Sequence, residues 1–227
     1  MDWLLARQDR IQKKLAARHL KAGGLVLYDL SSSYFEGTTG HAAGNACPLV
    51  QRGYSRDGKR GTLQVNYGLM TDDRGCPVAV SVHEGNVADP TTLMPEITRI
   101  KEDFGITQFV MVGDRGMISS TAIATLRSLS GIDWITALKS ASIRALVEDK
   151  TIQPDLFDER NLVEFQHPDY PGERLVACRN PELAKLRGHK RAELLQATEE
   201  DLVKIAARIT AGRLKGQDEV VPTQRTS

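Results

Sequence analysis

The sequence has few cysteines, no long apolar run and almost no net charge. Its 227 residues include only Cys47, Cys76 and Cys178, which are far apart and form no C-x-x-C pair. This spacing argues against a zinc site or a disulfide framework, and it predicts three small core residues. No apolar run reaches the roughly 20 residues of a membrane-spanning helix, and the charged N-terminal residues are unlike a signal peptide. We therefore expect a cytoplasmic protein.

A formal net charge of +1 does not by itself indicate a nucleic-acid-binding protein. The basic residues nevertheless form clusters, and such clusters can follow a phosphate backbone or can simply be solvated surfaces. The three clusters are Arg7, Arg10, Lys13, Lys14, Arg18 and Lys21; Arg52, Arg56, Lys59 and Arg60; and Arg179, Lys185, Arg187, Lys190 and Arg191.

The stretch from Leu25 to Leu30 is almost continuously apolar, which predicts a central strand buried on both faces. Asp29 interrupts this strand. Burial of an ionised carboxylate costs several kcal/mol unless cations or hydrogen-bond donors surround it. Asp29 therefore either caps the serine-rich turn that follows or belongs to a functional site.

A second apolar strand, Phe109–Val112, also leads to an acid, Asp114. If the two strands are neighbours in one sheet, the two carboxylates lie together and repel each other, and a divalent cation relieves that repulsion. Mg²⁺ prefers such hard oxygen ligands. A pair of metal ions in a site of this kind can promote the in-line displacement at a phosphodiester.

The remaining patterns predict an α/β protein whose mixed sheet is covered by helices and followed by an α+β insertion. We expect four segments: a helical lead-in over residues 1–24, a core over 25–139, an insertion over 140–215 and a disordered tail over 216–227. Periodicity and caps predict a helix over residues 3–21, a long loop from Glu36 to Gly61, a hairpin built on Leu63–Leu69 and Val78–Val82, and a helix capped by Asp89 that runs to Phe104. A helix capped by Ser119 or Ser120 and a strand over Trp134–Leu138 are predicted to follow. The last part of the chain is predicted to contain a helix over Ile143–Asp149, strands over Leu162–Phe165 and Arg174–Cys178, and a helix over Pro181–Leu214 that a capping box at Thr198–Asp201 divides.

Four runs of the sequence together resemble bacterial insertion-sequence transposases of the DDE type, in the insertion-sequence-four-like group. These runs are LVLYDLSSSY at Leu25–Tyr34, GYSRDGKRG at Gly53–Gly61, EGNVADP at Glu84–Pro90 and VGDRGM at Val112–Met117. The similarity continues through DWITAL at Asp133–Leu138 and FDER at Phe157–Arg160 to about Gly216. The resemblance implies an RNase H-like fold.

The resemblance further implies that Asp29 and Asp114 are the first two acids of the DDE triad. In that family the acids bind Mg²⁺ or Mn²⁺ and the enzyme cuts and joins double-stranded DNA, and the intact family member can form a homodimer. Arg115 is expected to contact DNA phosphate beside the acids, and Tyr54, Arg56, Lys59 and Arg60 are expected to form a DNA-backbone clamp. A surface arginine that balances Asp114 and a solvated loop are the alternative interpretations.

The family's third acid is a glutamate in a Tyr-x2-Arg-x3-Glu-x6-Lys signature. None of the five tyrosines is followed three residues later by arginine; the residues at that spacing are Ser31, Gly37, Asp57, Met70 and Glu173. We therefore expect a transposase truncated at both ends and inactive alone. The alternatives are a non-catalytic DNA-binding remnant and a haloacid-dehalogenase-like phosphohydrolase, which would require an acid where Ser31 stands.

Overall fold

The computed structural model describes residues 2–35, 47–55, 57–59, 61–153, 157 and 159–213. These residues form two compact units, Met1–Ile143 and Arg144–Ser227. Arg56, Arg60, most of the predicted loop before Cys47 and the predicted tail over 216–227 lie outside the described residues.

The first unit begins with two helices and four consecutive strands, after which helices and strands alternate. Its elements are α1 (Asp2–Leu5), α2 (Gln8–His19), β1 (Leu25–Tyr34), β2 (Gln51–Arg52), β3 (Leu63–Thr71), β4 (Pro77–Glu84), α3 (Asp89–Glu102), β5 (Phe109–Val112), α4 (Ser120–Leu126) and β6 (Ile132–Ile135); α5 (Ser140–Glu148) crosses the boundary at Ile143. Within the described residues, none of the helices is long and apolar enough to cross a membrane.

The six strands form one mixed sheet in the order β2-β3-β1-β5-β6, and β4 also pairs with β3. Strand β1 is antiparallel to β3 and parallel to β5, and β5 is parallel to β6. The core lies on one face of the sheet, where α2, α3 and α4 contribute side chains such as Ala16, Leu93, Ile97 and Leu126. The predicted α/β class, with an antiparallel hairpin, parallel strands and flanking helices, is confirmed.

The prediction that β1 is buried on both faces is wrong. Val26, Tyr28 and Leu30 are buried, whereas Leu25 and Asp29 are exposed. Side chains alternate between the two faces of a strand, and only the face toward α2 and α3 is covered in the part of the chain that the structure describes. The apolar residues of Leu25–Leu30 therefore belong to two different faces of the sheet, one that packs in the core and one that is exposed.

The predicted hairpin is confirmed, and its apolar residues are divided between the two faces of the sheet. Leu63, Met70 and Val78 are buried, whereas most of the alternating apolar residues face away from the core. Tyr67, Leu69, Val80 and Val82 are exposed, whereas the alternating residues of β3 that point to the core are largely polar or small. These core-facing residues are Gln64, Asn66, Gly68 and Met70. We call the exposed side of the sheet, which carries Asp29, Tyr67, Leu69, Val82 and Ile135, the outer face.

The Tyr28 side chain connects β1 to the hairpin on the core side of the sheet. Its hydroxyl oxygen lies 3.2 Å from Nε2 of His83 in β4, and its ring passes over Gly68, where a Cβ would lie 2.3 Å from that oxygen. Burial raises the pKa of Tyr28 to about 12 and lowers the pKa of His83. Both side chains are therefore neutral at pH 7, and the bond between them joins two uncharged groups.

A buried polar cluster joins α2, α3 and β4. Glu96 is only 4% exposed and accepts a hydrogen bond from Ser81. Arg99 donates to Ser81 Oγ over 3.0 Å, lies 3.6 Å from Glu96 Oε2 and also donates to Gln12. The charge of Glu96 is thus met by a cation inside the core, which is the condition for burying it.

The turn between β3 and β4 is held by Asp72. Its carboxylate accepts hydrogen bonds from the Arg74 side chain at 2.7 Å and from the Cys76 amide at 2.8 Å. The Arg74 guanidinium is the main reason that the pKa of Asp72 falls to about 2. Asp72 is therefore ionised at neutral pH.

Several predicted helix ends are displaced by local backbone geometry. The lead-in helix is split at Arg7, whose φ of -121° and ψ of 0° break the helix before α2. Ala88, and not Asp89, is the N-cap of α3, since Asp89 is already the first residue of the helix. Ser119 caps α4 as expected, with its hydroxyl accepting from the Ala122 amide.

The cysteines are also less buried than predicted. Cys47 and Cys76 are half-buried, and Cys178 is exposed. Cys47 precedes β2, Cys76 lies in the turn between β3 and β4, and Cys178 ends a strand of the second unit. The prediction that the three cysteines are small core residues is therefore wrong.

The second unit contains the antiparallel pair β7 (Leu162–Phe165) and β8 (Leu175–Cys178), followed by α6 (Pro181–Thr210). Both strands were predicted. The predicted division of the long helix at Thr198–Asp201 is wrong, because α6 continues through it and Thr198 Oγ1 bonds to the Leu194 carbonyl within the helix. A serine- or threonine-led acidic run resembles a capping box even where the helix does not start.

Gly68→Ala is expected to destabilise the first unit by about 2 to 3 kcal/mol, because a methyl group at position 68 overlaps the ring of Tyr28. Urea titration followed by circular dichroism measures this change. Ser33→Ala on the exposed side of β1 serves as the control and is expected to stay within about 0.5 kcal/mol of the parent. Equal midpoints for the two variants would contradict the packing described for Tyr28.

Candidate functional site

The structure brings Asp29 and Asp114 to the same level of two adjacent parallel strands. Leu25 pairs with Val110 and Leu27 pairs with Val112, and each acid lies two residues beyond the last pair. Asp29 projects to the outer face, and both acids are exposed. The two strands are therefore sheet neighbours, which is the condition under which the sequence predicts a shared site.

Asp114 is held in place by the turn that follows it. Its Oδ1 accepts hydrogen bonds from the amides of Gly116 at 2.9 Å and Met117 at 2.8 Å, and neither bond uses Oδ2. A Cβ at position 116 would lie 3.2 Å from Oδ1. This role of the two amides was not predicted, although an aspartate followed two residues later by glycine is a known turn signal.

Arg115 is exposed in the same turn, next to Asp114. Its Nη1 donates to Ser140 Oγ over 3.3 Å, at the first residue of α5. The side chain is thus directed toward the start of α5, and Ser140 is a partner that the sequence did not reveal. A hydrogen bond from an exposed arginine to one neutral hydroxyl is weaker than its charge-assisted bonds to a phosphate, so the Arg115 side chain remains available to a phosphate.

The part of the predicted clamp that the structure describes lies beyond the end of β1. Gln64 Nε2 donates to the carbonyl of Tyr54 at 3.0 Å and to that of Gly85 at 2.6 Å, which fixes the backbone of the turn. The side chain of Tyr54 is 85% exposed. A fixed backbone with a freely presented aromatic ring is suited to stacking against a base or a sugar.

Lys59 is attached to the last residue of β1. Its Nζ lies 5.2 Å from the ring centroid of Tyr34, and its amide donates to Ser55 Oγ, which also bonds to the Tyr34 hydroxyl. Tyr34 is five residues after Asp29, or about 16 Å along an extended strand. Arg56 and Arg60 belong to the same predicted clamp but lie outside the described residues.

The outer face surrounds Asp29 with apolar side chains. Leu69 pairs directly with Asp29, and Tyr67 pairs with Ser31 two residues further along. Ser31 therefore shares the face of Asp29, because alternate residues of a strand point to the same side. It adds a hydroxyl beside the acids.

Asp29 and Asp114 fit a hard divalent cation, since both offer carboxylate oxygens at one level of the sheet. They supply two ligand groups. Among the described residues, the one group of three suitable side chains is His19, Asp72 and Cys76. Arg74 already occupies the Asp72 carboxylate, so this second cluster is accounted for by its ion pair.

The family model described as a transposase DDE domain matches residues 31–208. The chain belongs to this family. The matched region of the transposase DDE domain includes Asp114 and Arg115 and begins two residues after Asp29. A mixed sheet with helices on its face is also what the resemblance to RNase H-like transposase folds implied.

Solved transposase structures are similar to parts of this transposase DDE domain. A cryo-EM structure of the piggyBac transposase synaptic complex with hairpin DNA has a TM-score of 0.39 and 13% identity over 69% of this chain and 33% of that chain. The Mos1 transposase paired-end complex with the left transposon end has a TM-score of 0.30 and 12% identity over 62% and 44%. The Mos1 mariner paired-end complex with Mn has a TM-score of 0.30 and 10% identity over 63% and 54%.

This transposase DDE domain therefore spans between one third and just over half of the solved chains that it matches. A search of curated proteins found no match.

Asp29→Asn and Asp114→Asn are each expected to weaken Mn²⁺ binding by at least about tenfold, because even groups that only support metal ligands typically change affinity 10- to 100-fold. Calorimetry or the paramagnetic signal of free Mn²⁺ measures this change. Asp133→Asn is the matched control, since Asp133 is an exposed acid beside Val110, four residues before Asp114 in the register. Equal weakening by all three variants would refute a site shared by Asp29 and Asp114.

Proposed function

We propose that this chain supplies the catalytic acids and part of the DNA-binding surface of an insertion-sequence transposase. In the intact protein these parts would serve metal-dependent cleavage and transfer of DNA strands. The observation that carries this proposal is the placement of Asp29 and Asp114 at one level of adjacent parallel strands.

Asp29 and Asp114 would hold Mg²⁺ or Mn²⁺ through their carboxylates. A bound divalent ion lowers the pKa of a coordinated water or hydroxyl and stabilises charge on phosphate oxygens. The amides of Gly116 and Met117 fix Asp114 Oδ1, so the turn positions the carboxylate before any ligand arrives. Such fixed positioning is what metal-assisted phosphoryl transfer requires of a protein.

Double-stranded DNA is the partner that fits the surroundings of the acids. Arg115 stands beside Asp114, and Lys59, Tyr54 and Arg52 stand beyond the end of β1. These cations can neutralise backbone phosphates on the two sides of the acids, while Tyr54 offers a stacking surface. Arg56 and Arg60 extend the proposed clamp by sequence.

The third acid of the family signature is missing from the 227 residues, because none of the tyrosines has an arginine three residues later. We therefore propose that the chain alone binds DNA and metal but does not cut strands. Loss of one metal ligand leaves the ion weakly held and the reacting groups displaced, and small displacements strongly reduce the rate in such sites.

The motifs at Gly53–Gly61 and Glu84–Pro90 favour the insertion-sequence-four-like group within the family. A protein that only binds DNA would not need two acids at the same level of adjacent strands. Retained DNA binding without metal binding would nevertheless favour it.

Duplex DNA is expected to bind with a steep salt dependence that includes contributions from Arg52 and Lys59. Each of the changes Arg52→Ala and Lys59→Ala should reduce the slope of log affinity against log salt by about 0.9, because one phosphate contact is lost. Fluorescence anisotropy at several salt concentrations measures the slope. Lys204→Ala, which removes an equivalent charge from the second unit, should leave it unchanged.

The purified chain is expected to produce no strand cleavage of transposon-end DNA in Mn²⁺, whereas it still binds that DNA. A supercoiled-plasmid nicking assay, with Asp29→Asn/Asp114→Asn as the background control, measures this. Nicking that disappears in the double variant would show that the two acids suffice. In that case the proposed inactivity is wrong, although the proposed site is retained.

A further inference from the structure

Helix α2 presents a row of cations to solvent. Arg10, Lys14 and Arg18 are spaced four residues apart, and all three are exposed. Residues at this spacing lie above one another on one side of a helix. The three side chains therefore form a single row, which we call the basic row and which spans about 12 Å along the helix axis.

The basic row is not neutralised by the protein. Among the described residues its three cations make no ion pair, and the neighbouring Lys13 meets one acid, with its Nζ 3.5 Å from Oδ1 of Asp103. Both of these side chains are about half exposed, and such a surface pair contributes little. Like charges four residues apart on a helix repel each other and destabilise it. An anion bound along the row would remove this repulsion.

The opposite side of α2 is held by the core. Gln12 and Ala16 are buried, and the side-chain amide of Gln12 donates to the Val80 carbonyl over 3.1 Å. Arg99 of α3 in turn donates to Gln12. The basic row is thus carried by a fixed element, which holds its cations in position before a ligand binds.

Duplex DNA fits the basic row better than an anionic membrane does. Duplex DNA carries one negative charge for about every 1.7 Å of its axis, so the row faces several phosphates at once. Cations alone suffice for such binding, because contacts to the phosphate backbone do not read the bases. A helix that lies on a membrane inserts an apolar face, whereas the apolar side of α2, with Leu15 and Ala16, is packed against the core.

The basic row and the acid of β1 lie on opposite sides of the sheet. Helix α2 covers the core face, whereas Asp29 projects to the outer face. The row points away from the sheet, because Gln12 and Ala16 on the other side of α2 point into the core. Duplex DNA is stiff over about 150 base pairs, so a short segment bound beside the acids does not bend around the unit to α2. The row therefore faces a different segment of DNA.

We propose that the basic row of α2 binds the backbone of a second DNA duplex, separate from the duplex at Asp29 and Asp114. This inference rests on the proposed function, because strand transfer joins one DNA segment to another and so requires a protein that holds both. Arg10, Lys14 and Arg18 each neutralise a backbone phosphate and leave the base sequence unread.

Titration of the full chain with a short fluorescent duplex counts the bound segments. At concentrations well above the dissociation constants, the parent chain is expected to bind two duplexes, and Arg10→Ala/Lys14→Ala/Arg18→Ala is expected to bind one. A change from about 50 to about 200 mM salt should weaken the second binding step by at least about 40-fold, because three phosphate contacts release their counterions.

The matched control is Arg10→Lys/Lys14→Arg/Arg18→Lys, which keeps the three charges and should still bind two duplexes. Circular dichroism verifies that both variants keep the helix. A parent chain that binds one duplex, an alanine variant that binds two or a charge-retaining variant that binds one would overturn the proposal. Capture of the parent by phosphatidylserine vesicles in place of a second duplex would overturn it in favour of a membrane surface.

Mn²⁺ binding separates this inference from the proposed function. The alanine variant retains Asp29 and Asp114 and should bind Mn²⁺ as the parent does. If Asp29→Asn leaves Mn²⁺ binding unchanged, the proposed function fails, whatever the number of duplexes. If Asp29→Asn weakens Mn²⁺ binding but the parent binds one duplex, the inference about α2 alone fails.

Discussion

The alternation of side chains between the two faces of β1 determines both the packing of the core and the position of the candidate site. Tyr28 points into the core, where its ring occupies the space that Gly68 leaves and its hydroxyl reaches His83. The next residue, Asp29, must then point to the outer face. A slip of one residue in the pairing of β1 would bury the carboxylate and expose the tyrosine. The packing of Tyr28 therefore also determines where the acid is presented.

The mixed pairing of β1 explains why two acids that are distant in sequence meet. β3 continues the antiparallel hairpin on one side of β1, whereas β5 arrives parallel on the other side after the α3 connection. The parallel register places Asp114 level with Asp29, and the turn at Gly116 then fixes its carboxylate. The site thus combines a long-range contact set by the sheet with a local contact set by the turn.

The α/β class and most of the strands could be predicted because each rests on a local pattern, whereas the two-residue β2 lies inside the predicted loop. Phe109–Val112 and the Leu63–Leu69 alternation are short-range signals, and an acid after an apolar strand is visible in the chain itself. The side of the sheet that is covered could not be predicted, because Val82 and Met70 are equally apolar and tertiary packing alone distinguishes them. The contact of Ser140 with Arg115 could not be predicted for the same reason, since it joins residues that are 25 positions apart in the sequence. The continuity of α6 through Thr198–Asp201 shows that a capping pattern is overridden when helical residues continue on both sides.

The contact between α2 and β4 affects how the sheet can grow. β4 is an edge strand within the described residues, and edge carbonyls invite pairing with a further strand. The side-chain amides of Gln8 and Gln12 both donate to the Val80 carbonyl, at 3.2 and 3.1 Å. These two amides satisfy the carbonyl that a neighbouring strand would otherwise bind, so they hinder the pairing of β4 with a strand of another molecule. A strand that joined the sheet beside β4 would have to displace these two amides from the Val80 carbonyl.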